Sequence, residues 1–304
     1  MTTVEIRVPA TSANLGPGFD ALGLALTLHD EVEATLTGER GVQVTVEGEG
    51  RGEVDLGEGH LIVRAMRATF DRMGVAQPEG VRLRCRNRIP HARGLGSSSA
   101  AVCAGILAAR ALSGDAGAGF SDDAVFALAT EMEGHPDNVA PCLAGGLVVA
   151  WTDHAGAPHM VKLVPDQRIR PVAVVPSARL ATETARGLLP KDVPHKDAAF
   201  NAGRAALLIA ALTLRPEPEL LLAATEDRLH QSYRAPAMRG SADLVERLRA
   251  VGVPAVVSGA GPTVLAFPSP DTQDLIAPEV GNDWHIQQMD VDQVGATVRF
   301  PETR

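Results

Sequence analysis

The sequence is poor in cysteine and in aromatic residues. Its three cysteines, Cys85, Cys103 and Cys142, contain no CxxC pair, which argues against a zinc site and against a disulfide framework. This cysteine usage is typical of a reducing compartment and predicts a cytoplasmic protein. Seven Phe, two Trp and one Tyr are too few for a platform that stacks nucleic-acid bases.

Positive charge and membrane-directed segments are also scarce. The formal net charge is −9 at pH 7, which disfavours nucleic acid and anionic membranes as partners. The sequence has no apolar run of about 18 residues, so no membrane-spanning helix is expected. Residues 1–20 lack the basic-then-apolar order of a secretory signal. An anionic substrate must therefore bind at a local site that reverses the sign of the charge.

The spacing of apolar residues predicts a mixture of strands and helices. It places helices at four positions, among others: 61–73, 100–112, 122–133 and 218–229. Hairpins and helices follow one another without strict alternation, which is typical of an α+β fold with two layers. The pattern changes after Pro165, so we expect a domain boundary near residue 166, between 1–166 and 167–304.

The most informative segment is Gly-Leu-Gly-Ser-Ser-Ser at residues 94–99, which leads directly into an Ala-rich helix. The first-turn N–H groups of a helix have no internal acceptor, and the helix dipole adds about half a positive charge there. Small residues let the backbone approach an anion, so this segment predicts a phosphate-binding loop. It lacks the lysine of GxxxxGK[ST] and the third glycine of GxGxxG. An ordinary strand-to-helix turn is the structural alternative.

Three distant segments together resemble the GHMP kinases, which act on galactose, homoserine, mevalonate and phosphomevalonate. They are PATSANLGPGFD at 9–20, the phosphate loop at 90–100 and SGAGPT at 258–263. The first segment and EGHPDN at 133–138 resemble the branch of the family that phosphorylates homoserine. Mevalonate-type relatives carry Lys near position 14 and a Ser-Gly-x-Asp run near 138, where this chain has Asn14 and Asn138.

The resemblance implies both a fold and a reaction. It implies the two-domain GHMP kinase fold, with an amino-terminal domain like domain 2 of ribosomal protein S5 (α/β), a carboxy-terminal ferredoxin-like α+β domain, and the active site between them. The implied reaction is the ATP-dependent phosphorylation of the side-chain hydroxyl of L-homoserine to O-phospho-L-homoserine in threonine biosynthesis. ATP and L-homoserine are then the partners and Mg²⁺ the cofactor, and either a monomer or a homodimer is compatible with the sequence.

The resemblance also implies roles for individual residues. The nucleotide phosphates are expected at Pro90, Arg93, Gly94, Leu95, Gly96, Ser97, Ser98, Ser99 and Ala100. Homoserine is expected at Asn14, Asp20, His135, Thr182, Arg186, Arg234 and Gly259, and TETAR at 182–186 and HQSYR at 230–234 resemble segments that hold the amino acid. Catalytic roles are implied for Glu133, Asn138 and Asp20. Mg²⁺ is expected at Glu133 and Ser98, with Glu131 as the alternative carboxylate.

Several alternatives stay open on the sequence alone. Glu133 could be a solvated helix-end charge, Asp20 a turn cap and His135 a structural histidine, while arginines are often merely exposed. Asn138 cannot accept a proton, so no catalytic base is obvious and direct attack by an oriented hydroxyl is the hypothesis. Relatives usually carry Asn where this chain has His60, which leaves contacts with the nucleotide base open.

At the level of the whole protein, other functions compete with this interpretation. Another alcohol kinase of the family would not need two arginines for a substrate carboxylate. A non-catalytic nucleotide-binding protein of the same fold would be expected to lose Glu133, a phosphate-loop serine or Asp20, and all are present. A dinucleotide-dependent dehydrogenase is disfavoured because the third glycine of its fingerprint is missing.

Overall fold

The structure is a computed structural model and describes residues 2–301. Within that range the strands are β1 (Thr2–Ala13), β2 (Leu22–Thr37), β3 (Gly41–Gly48), β4 (Gly80–Asn87), β5 (Leu147–Thr152), β6 (Pro158–Leu163), β7 (Val172–Pro176), β8 (Ala255–Val257), β9 (Val264–Ala266), β10 (Trp284–Gln288) and β11 (Thr297–Arg299). The α-helices are α1 (Leu61–Met73), α2 (Ser97–Leu112), α3 (Asp115–Ala118), α4 (Asp122–Glu133), α5 (Val139–Ala144), α6 (Thr182–Arg186), α7 (His195–Thr213), α8 (Pro218–Ala224), α9 (Gln231–Arg234), α10 (Arg239–Ala250) and α11 (Ile276–Glu279).

The first sheet alternates apolar residues toward the core with charged residues toward solvent. Its order is β11-β1-β2-β4-β3, with β5 also paired to β2 and β6 paired to β5. All of these pairings are antiparallel except β3 with β4. On β4, Val81, Leu83 and Cys85 are buried, whereas Arg84 and Arg86 are exposed. This is the two-residue period that a half-buried strand requires.

Helix α2 lies on the core face of this sheet, and α1 and α4 pack against α2. Helix α2 is buried along most of its length, and its small residues let it approach α1 closely. A Cβ at Gly105 would lie 2.4 Å from the carbonyl oxygen of Ile62, so this crossing requires glycine. The Ala-rich body of α2 therefore serves packing, and only its amino-terminal turn is available for chemistry.

The second sheet has the antiparallel order β10-β7-β9-β8. Helix α10 packs against it, and Val174, Leu244 and Val264 are among the residues of its apolar core. The expected two-domain α+β architecture is thus confirmed. One expected element is wrong: the helix predicted over 218–229 ends at Ala224. The Thr225 hydroxyl there bonds back to the Leu221 carbonyl, and the Asp227 carboxylate accepts the backbone N–H groups of the following residues.

The chain crosses from the first sheet to the second between β6 and β7, where the boundary at residue 166 was expected. The final strand, however, returns to the first sheet. Residues 297–299 of β11 pair with β1, and Val291 forms a bridge with Leu26. Residues 297–299 of the predicted unit 167–304 therefore pack on the amino-terminal domain, because the edge of β1 offers them free backbone groups. None of the helices within residues 2–301 combines the length and the apolar character needed to cross a membrane.

Candidate active site

The amino-terminal turn of α2 presents unpaired backbone donors at the junction of the two domains. Gly96 is the N-cap residue, and it accepts the N–H of Ala100 without capping the helix by a side chain. The N–H groups of Ser97, Ser98 and Ser99 lie in the first turn, where the helix has no earlier carbonyl to accept them. They are therefore free to bind a ligand. The first turn contains no acidic residue. An anion is therefore favoured at this point by both the free donors and the helix dipole.

Glycine is required at positions 94 and 96 for two separate reasons. Both residues have positive φ, 75° and 72°, which L side chains rarely adopt. Both also touch other segments, since a Cβ on Gly94 would lie 2.2 Å from the Ser258 carbonyl oxygen and one on Gly96 would lie 2.0 Å from Thr11 Oγ1. The Ser258 hydroxyl donates to the Gly94 carbonyl at 2.6 Å. The 258–263 turn of the second domain therefore lies directly against the phosphate loop.

A hydroxyl and a carboxylate, both oxygen donors of the kind that hard cations prefer, meet beside this helix end. The Ser98 hydroxyl donates to Glu133 Oε1 at 2.5 Å, so the hydroxyl and carboxylate lie together. A hard cation such as Mg²⁺ prefers oxygen ligands and keeps several positions for water or phosphate, which this donor set fits. Glu131 is instead engaged elsewhere, in an ion pair with Arg72 at 2.6 Å. Of Glu131 and Glu133, it is Glu133 that faces the phosphate loop.

A polar pocket of about 230 Å³ opens between the domains at the same helix end. It contains all seven residues expected at homoserine, four of the nine expected at the phosphates, and both residues expected at the metal. Its lining residues are Ala13, Asn14, Asp20, Ala92, Gly94, Gly96, Ser97, Ser98, Glu133, His135, Asp137, Asn138, Thr182, Arg186, Arg234, Gly259 and Ala260. Residues separated by more than 240 positions in the chain therefore share one cavity.

The two arginines of this pocket differ in environment. Arg186, on α6, is exposed at the rim, where its Nη1 and Nη2 donate to Asp20 Oδ2 and Oδ1 at 3.1 and 3.0 Å. Arg234, at the end of α9, is only 2 % exposed. Its Nη1 donates to His230 Nδ1 at 3.2 Å and to the Gly259 carbonyl at 3.3 Å, and its Nε has no hydrogen-bond partner in the described part of the chain. Among the described residues no carboxylate pairs with this buried guanidinium.

His135 and Asp137 form an ion pair in the same pocket, with His135 Nδ1 2.5 Å from Asp137 Oδ1. Burial lowers the pKa of His135, but the hydrogen bond and the charge of Asp137 outweigh burial and raise the pKa above the ordinary value. Asp137 itself is buried. The imidazole is thus oriented through Nδ1, which leaves Nε2 as its free ring nitrogen.

The remaining polar residues of the pocket hold its loops in place. Asn14 has a positive φ of 68°, and its amide donates to the Gly259 carbonyl and accepts from the Asp20 backbone N–H, both at 2.9 Å. The Thr11 hydroxyl donates to Asn138 Oδ1 at 2.8 Å. Contact of Asn14 with substrate stays a prediction, because both functions of its amide already have partners. Asn138 is fixed through its oxygen, and its amide nitrogen is free.

A second cavity of about 340 Å³, called the apolar cavity below, lies on the other side of the α2 amino terminus. It shares Ser97 and Ser98 with the polar pocket, but its walls include Val8, Val32 and Ile62. Its other lining residues are Asp30, Val54, Asp55, Gly59, His60, Leu61, Asn87, His91, Ala100, Ala101 and Ala104. Burial lowers the pKa of His60, which favours the neutral imidazole here. This cavity suits a flat, largely apolar group attached to an anion.

Comparison with known proteins agrees with this geometry. The family description "GHMP kinases N terminal domain" matches residues 60–146, and "GHMP kinases C terminal" matches residues 200–286. The chain belongs to the GHMP kinase family. It is 57 % identical over 295 residues to homoserine kinase of Streptomyces coelicolor, covering 97 % of this chain and 94 % of that one. It is 52 % identical over 302 residues to homoserine kinase of Clavibacter michiganensis, covering 97 % and 94 %.

A solved structure of homoserine kinase from Cytophaga hutchinsonii superimposes with a TM-score of 0.83. The two chains are 26 % identical, and the match covers 98 % of each. A mevalonate kinase matches with a TM-score of 0.70 at 14 % identity, which is a likeness of fold alone. The GHMP kinase fold expected from the three segments is therefore confirmed over nearly the whole chain.

Not every residue assigned to the phosphates of this GHMP kinase lines the polar pocket. Ala100 lines only the apolar cavity, while Pro90, Leu95 and Ser99 line neither, and Leu95 and Ser99 are fully buried. Their contact with a nucleotide stays a prediction. Arg93 donates from Nε to the Pro176 carbonyl and from Nη2 to the Ser177 carbonyl, at 2.9 and 3.0 Å. Its guanidinium joins the two domains, since carbonyls of the second domain hold it.

Sequence reasoning gave no role to three residues that the structure brings into this arrangement. Asp137 orients His135, and Thr11 fixes Asn138. His230 contacts both Arg234 and the Gly16 carbonyl. Asp137 and Thr11 lie inside motifs that carried the family resemblance, so a signal for them was present. His230 lies in the 230–234 segment, but its partner Gly16 is 214 positions away and no spacing rule connects them.

Proposed function

We propose that this GHMP kinase transfers the γ-phosphoryl group of ATP to the side-chain hydroxyl of L-homoserine, forming O-phospho-L-homoserine and ADP. The relatives at 57 % and 52 % identity are homoserine kinases, and they match nearly the full length of the chain. The pocket supports the same substrate through its charges. The single observation that carries the proposal is the buried Arg234, which lines this pocket without a carboxylate partner among the described residues.

A buried guanidinium without a counterion is unfavourable unless a ligand supplies the charge. Burial lowers the pKa of Arg234, a sign of the same cost. The α-carboxylate of an amino acid fits the planar fork of the guanidinium. Asp20 supplies negative charge for the α-ammonium group at the rim. Homoserine then enters with its carboxylate on Arg234 and its ammonium group on Asp20, where the present ion pair with Arg186 opens to admit it.

The nucleotide lies across the amino terminus of α2 in this proposal. Its phosphates accept hydrogen bonds from the free N–H groups at 97–99, and its base occupies the apolar cavity beside Ile62 and His60. Ser98 and Glu133 would hold Mg²⁺, which when bound neutralises charge on the phosphate oxygens. The two cavities share this helix end, so the terminal phosphate and the homoserine hydroxyl meet there.

The residues of the pocket align the reactants without an evident base. Asp20 is paired with Arg186, the raised pKa of His135 favours the imidazolium form, which has no lone pair for a proton, and Asn138 cannot accept a proton. The homoserine oxygen forms its bond to the γ-phosphorus as the bond to the β-phosphate oxygen breaks. The hydroxyl proton passes to a phosphate oxygen. A loose transition state asks mainly for alignment and charge neutralisation, which this arrangement supplies.

Two substitutions test whether a base is needed. We expect Asp20→Asn and His135→Leu to raise the KM for homoserine more than they lower kcat. A loss of about 10⁴-fold in kcat from either, with substrate binding intact, would instead identify that residue as a general base.

The activity itself is tested by a coupled assay of ADP release. Purified protein with ATP and Mg²⁺ is given L-homoserine, L-serine, L-threonine or mevalonate in parallel. We expect substantial turnover with L-homoserine only. Turnover of mevalonate without turnover of L-homoserine would overturn the proposal.

We also propose a cytoplasmic site of action, because Cys85, Cys103 and Cys142 are all free thiols.

A further inference from the structure

His230 is a buried polar residue that takes no part in the proposed binding of substrate or transfer of the phosphoryl group. It precedes helix α9, and its side chain is fully enclosed. The ring of Phe19 stacks on it, with centroids 5.2 Å apart and planes at 30°. His230 is not among the residues that line the polar pocket. Arg234, which does line it, lies one helical turn further along the chain.

The two polar contacts of His230 define its tautomer. Nε2 lies 2.8 Å from the Gly16 carbonyl oxygen, which can only accept, so Nε2 carries the hydrogen. Nδ1 lies 3.2 Å from Arg234 Nη1, which can only donate, so Nδ1 is bare. Both contacts are satisfied together only by the neutral Nε2–H form. Burial lowers the pKa of His230, which disfavours the doubly protonated ring.

The charged groups around the ring agree with this assignment. Asp227 Oδ2 lies 3.7 Å from Nε2, beyond hydrogen-bond distance. That oxygen already accepts the backbone N–H groups of His230 and Gln231. The negative charge of Asp227 favours protonation, whereas the charge of Arg234 and burial oppose it. The imidazole thus connects the 14–20 loop to the guanidinium as a neutral hydrogen-bond relay.

We propose that His230 is a positioning residue for the substrate carboxylate, with its bare Nδ1 holding Arg234 Nη1 so that the guanidinium faces the pocket. The inference rests on the proposed function, because it assigns the carboxylate of homoserine to Arg234. The only other acceptor within reach of Nη1 among the described residues is the Gly259 carbonyl, at 3.3 Å. Without the His230 Nδ1, Arg234 Nη1 would keep only its long hydrogen bond to the Gly259 carbonyl. The Arg234 side chain would then be free to rotate away from the pocket.

The alternative is that His230 merely fills the core and tethers the 14–20 loop. The two ring nitrogens allow these roles to be separated. In His230→Asn the side-chain amide sits near the position of Nδ1 and can offer its oxygen to Arg234, but it cannot reach Gly16. In His230→Gln the amide reaches the Gly16 carbonyl and leaves the position of Nδ1 to a methylene group. A positioning role therefore predicts that Asn preserves homoserine binding better than Gln, and a tether predicts the reverse.

The experiment measures kcat and the KM values for L-homoserine and ATP, with the homoserine Kd from calorimetry. For His230→Gln we expect the KM and Kd for homoserine to rise about tenfold, the range for one hydrogen bond to a charged group. Its kcat and its KM for ATP should stay within about twofold of wild type, since the nucleotide is held elsewhere. His230→Asn should lie between wild type and His230→Gln. Equal KM values for the two variants, or a loss confined to kcat, would overturn the proposal.

A double-mutant cycle with Arg234→Met tests whether the effect passes through the guanidinium. Once Arg234 is removed, His230→Gln should not change the homoserine KM further, because coupled residues are not additive. Additive effects would contradict the inference. His29→Gln is the matched control: it alters another buried histidine, paired with Asp292 outside both cavities. It should lower Tm without changing the homoserine KM.

A measurement on the unaltered protein covers the case in which the variants do not fold. The ¹⁵N resonances of the His230 ring report directly which nitrogen carries the hydrogen. We expect a protonated Nε2, a bare Nδ1, and a shift of the Nδ1 resonance when homoserine binds. A protonated Nδ1 would refute the relay. If the unaltered enzyme fails to phosphorylate homoserine, the proposed function fails; if it succeeds but the variants do not discriminate, only the role of His230 fails.

Discussion

The two cavities at the amino terminus of α2 recognise ligands by different physical means. The larger, about 340 Å³, has mainly apolar walls, and the smaller, about 230 Å³, is lined with charges and amides from both domains. Apolar walls stabilise a bound ligand in proportion to the apolar surface that is removed from water. They therefore tolerate variation in the detailed shape of the ligand. Buried charges bind only a partner that completes them, so they discriminate more strongly. Ser97 and Ser98 belong to both cavities, which is where phosphoryl transfer is proposed.

The largest effect is expected at this shared edge. Glu133→Gln keeps an acceptor for the Ser98 hydroxyl but removes the negative charge expected to hold the divalent cation. We expect kcat to fall about 10³-fold, the scale of losing one preorganised electrostatic contact, with little change in the homoserine KM. Steady-state kinetics at saturating Mg²⁺ measure this. Glu131→Gln is the matched control, because Glu131 pairs with Arg72 outside the pocket, and an equal loss there would contradict the choice of Glu133.

The polar pocket should respond most to its buried arginine. Arg234→Met should raise the KM for L-homoserine about 10²-fold, because a desolvated charged hydrogen-bond partner of the carboxylate is lost. Arg186→Met should raise it only about fivefold, since Arg186 is exposed and already paired with Asp20. The KM for ATP should stay the same in both. If the order were reversed, the rim arginine would be the main carboxylate ligand.

The apolar cavity should respond to bulk and not to charge. Ala101→Leu adds three carbons to its wall, so we expect the KM for ATP to rise about tenfold, an overpacking cost of roughly 1–3 kcal/mol. The KM for L-homoserine should not change. Ala111→Leu provides a control on the same helix, since Ala111 lines neither cavity. An increase in the homoserine KM alone would show that the two cavities are assigned the wrong way round.

Local signals made much of the fold predictable. Helices 61–73 and 122–133 begin and end at the expected residues, because Gly74 adopts a left-handed C-cap and the Ser121 hydroxyl caps the Ala124 N–H. The helix expected at 100–112 starts three residues earlier, at Ser97. Its serines are poor formers of a helix interior but suit a first turn, where their free N–H groups face the pocket.

The site was predictable as a set of residues but not as a set of contacts. Residues 14, 20, 135, 186 and 234 share one pocket, as the motifs suggested. Sequence could not reveal that Arg186 pairs with Asp20 while Arg234 has no counterion within residues 2–301, because this depends on how α6 and α9 dock on the other domain. Nor could the sequence predict that Arg93 donates a hydrogen bond to the Pro176 carbonyl. Such contacts are set by tertiary packing, which spacing along the chain does not encode.

The smallest expected effect concerns the His135–Asp137 pair and its dependence on pH. The folded-state pKa of His135 lies above 6.5, so the pair stabilises the fold fully below that value and loses its contribution as pH rises through the folded-state pKa. Asp137→Asn should therefore lower Tm by about 2–3 °C near pH 5.5, from roughly 1.5 kcal/mol for a charged hydrogen bond in a chain of 304 residues, and by less in alkaline solution. Scanning fluorimetry from about pH 5 to pH 9 measures the difference. Asp153→Asn removes the same kind of contact from an exposed pair with His159, and it should leave Tm nearly unchanged. A difference that grows toward alkaline pH would mean that His135 is neutral in the folded protein.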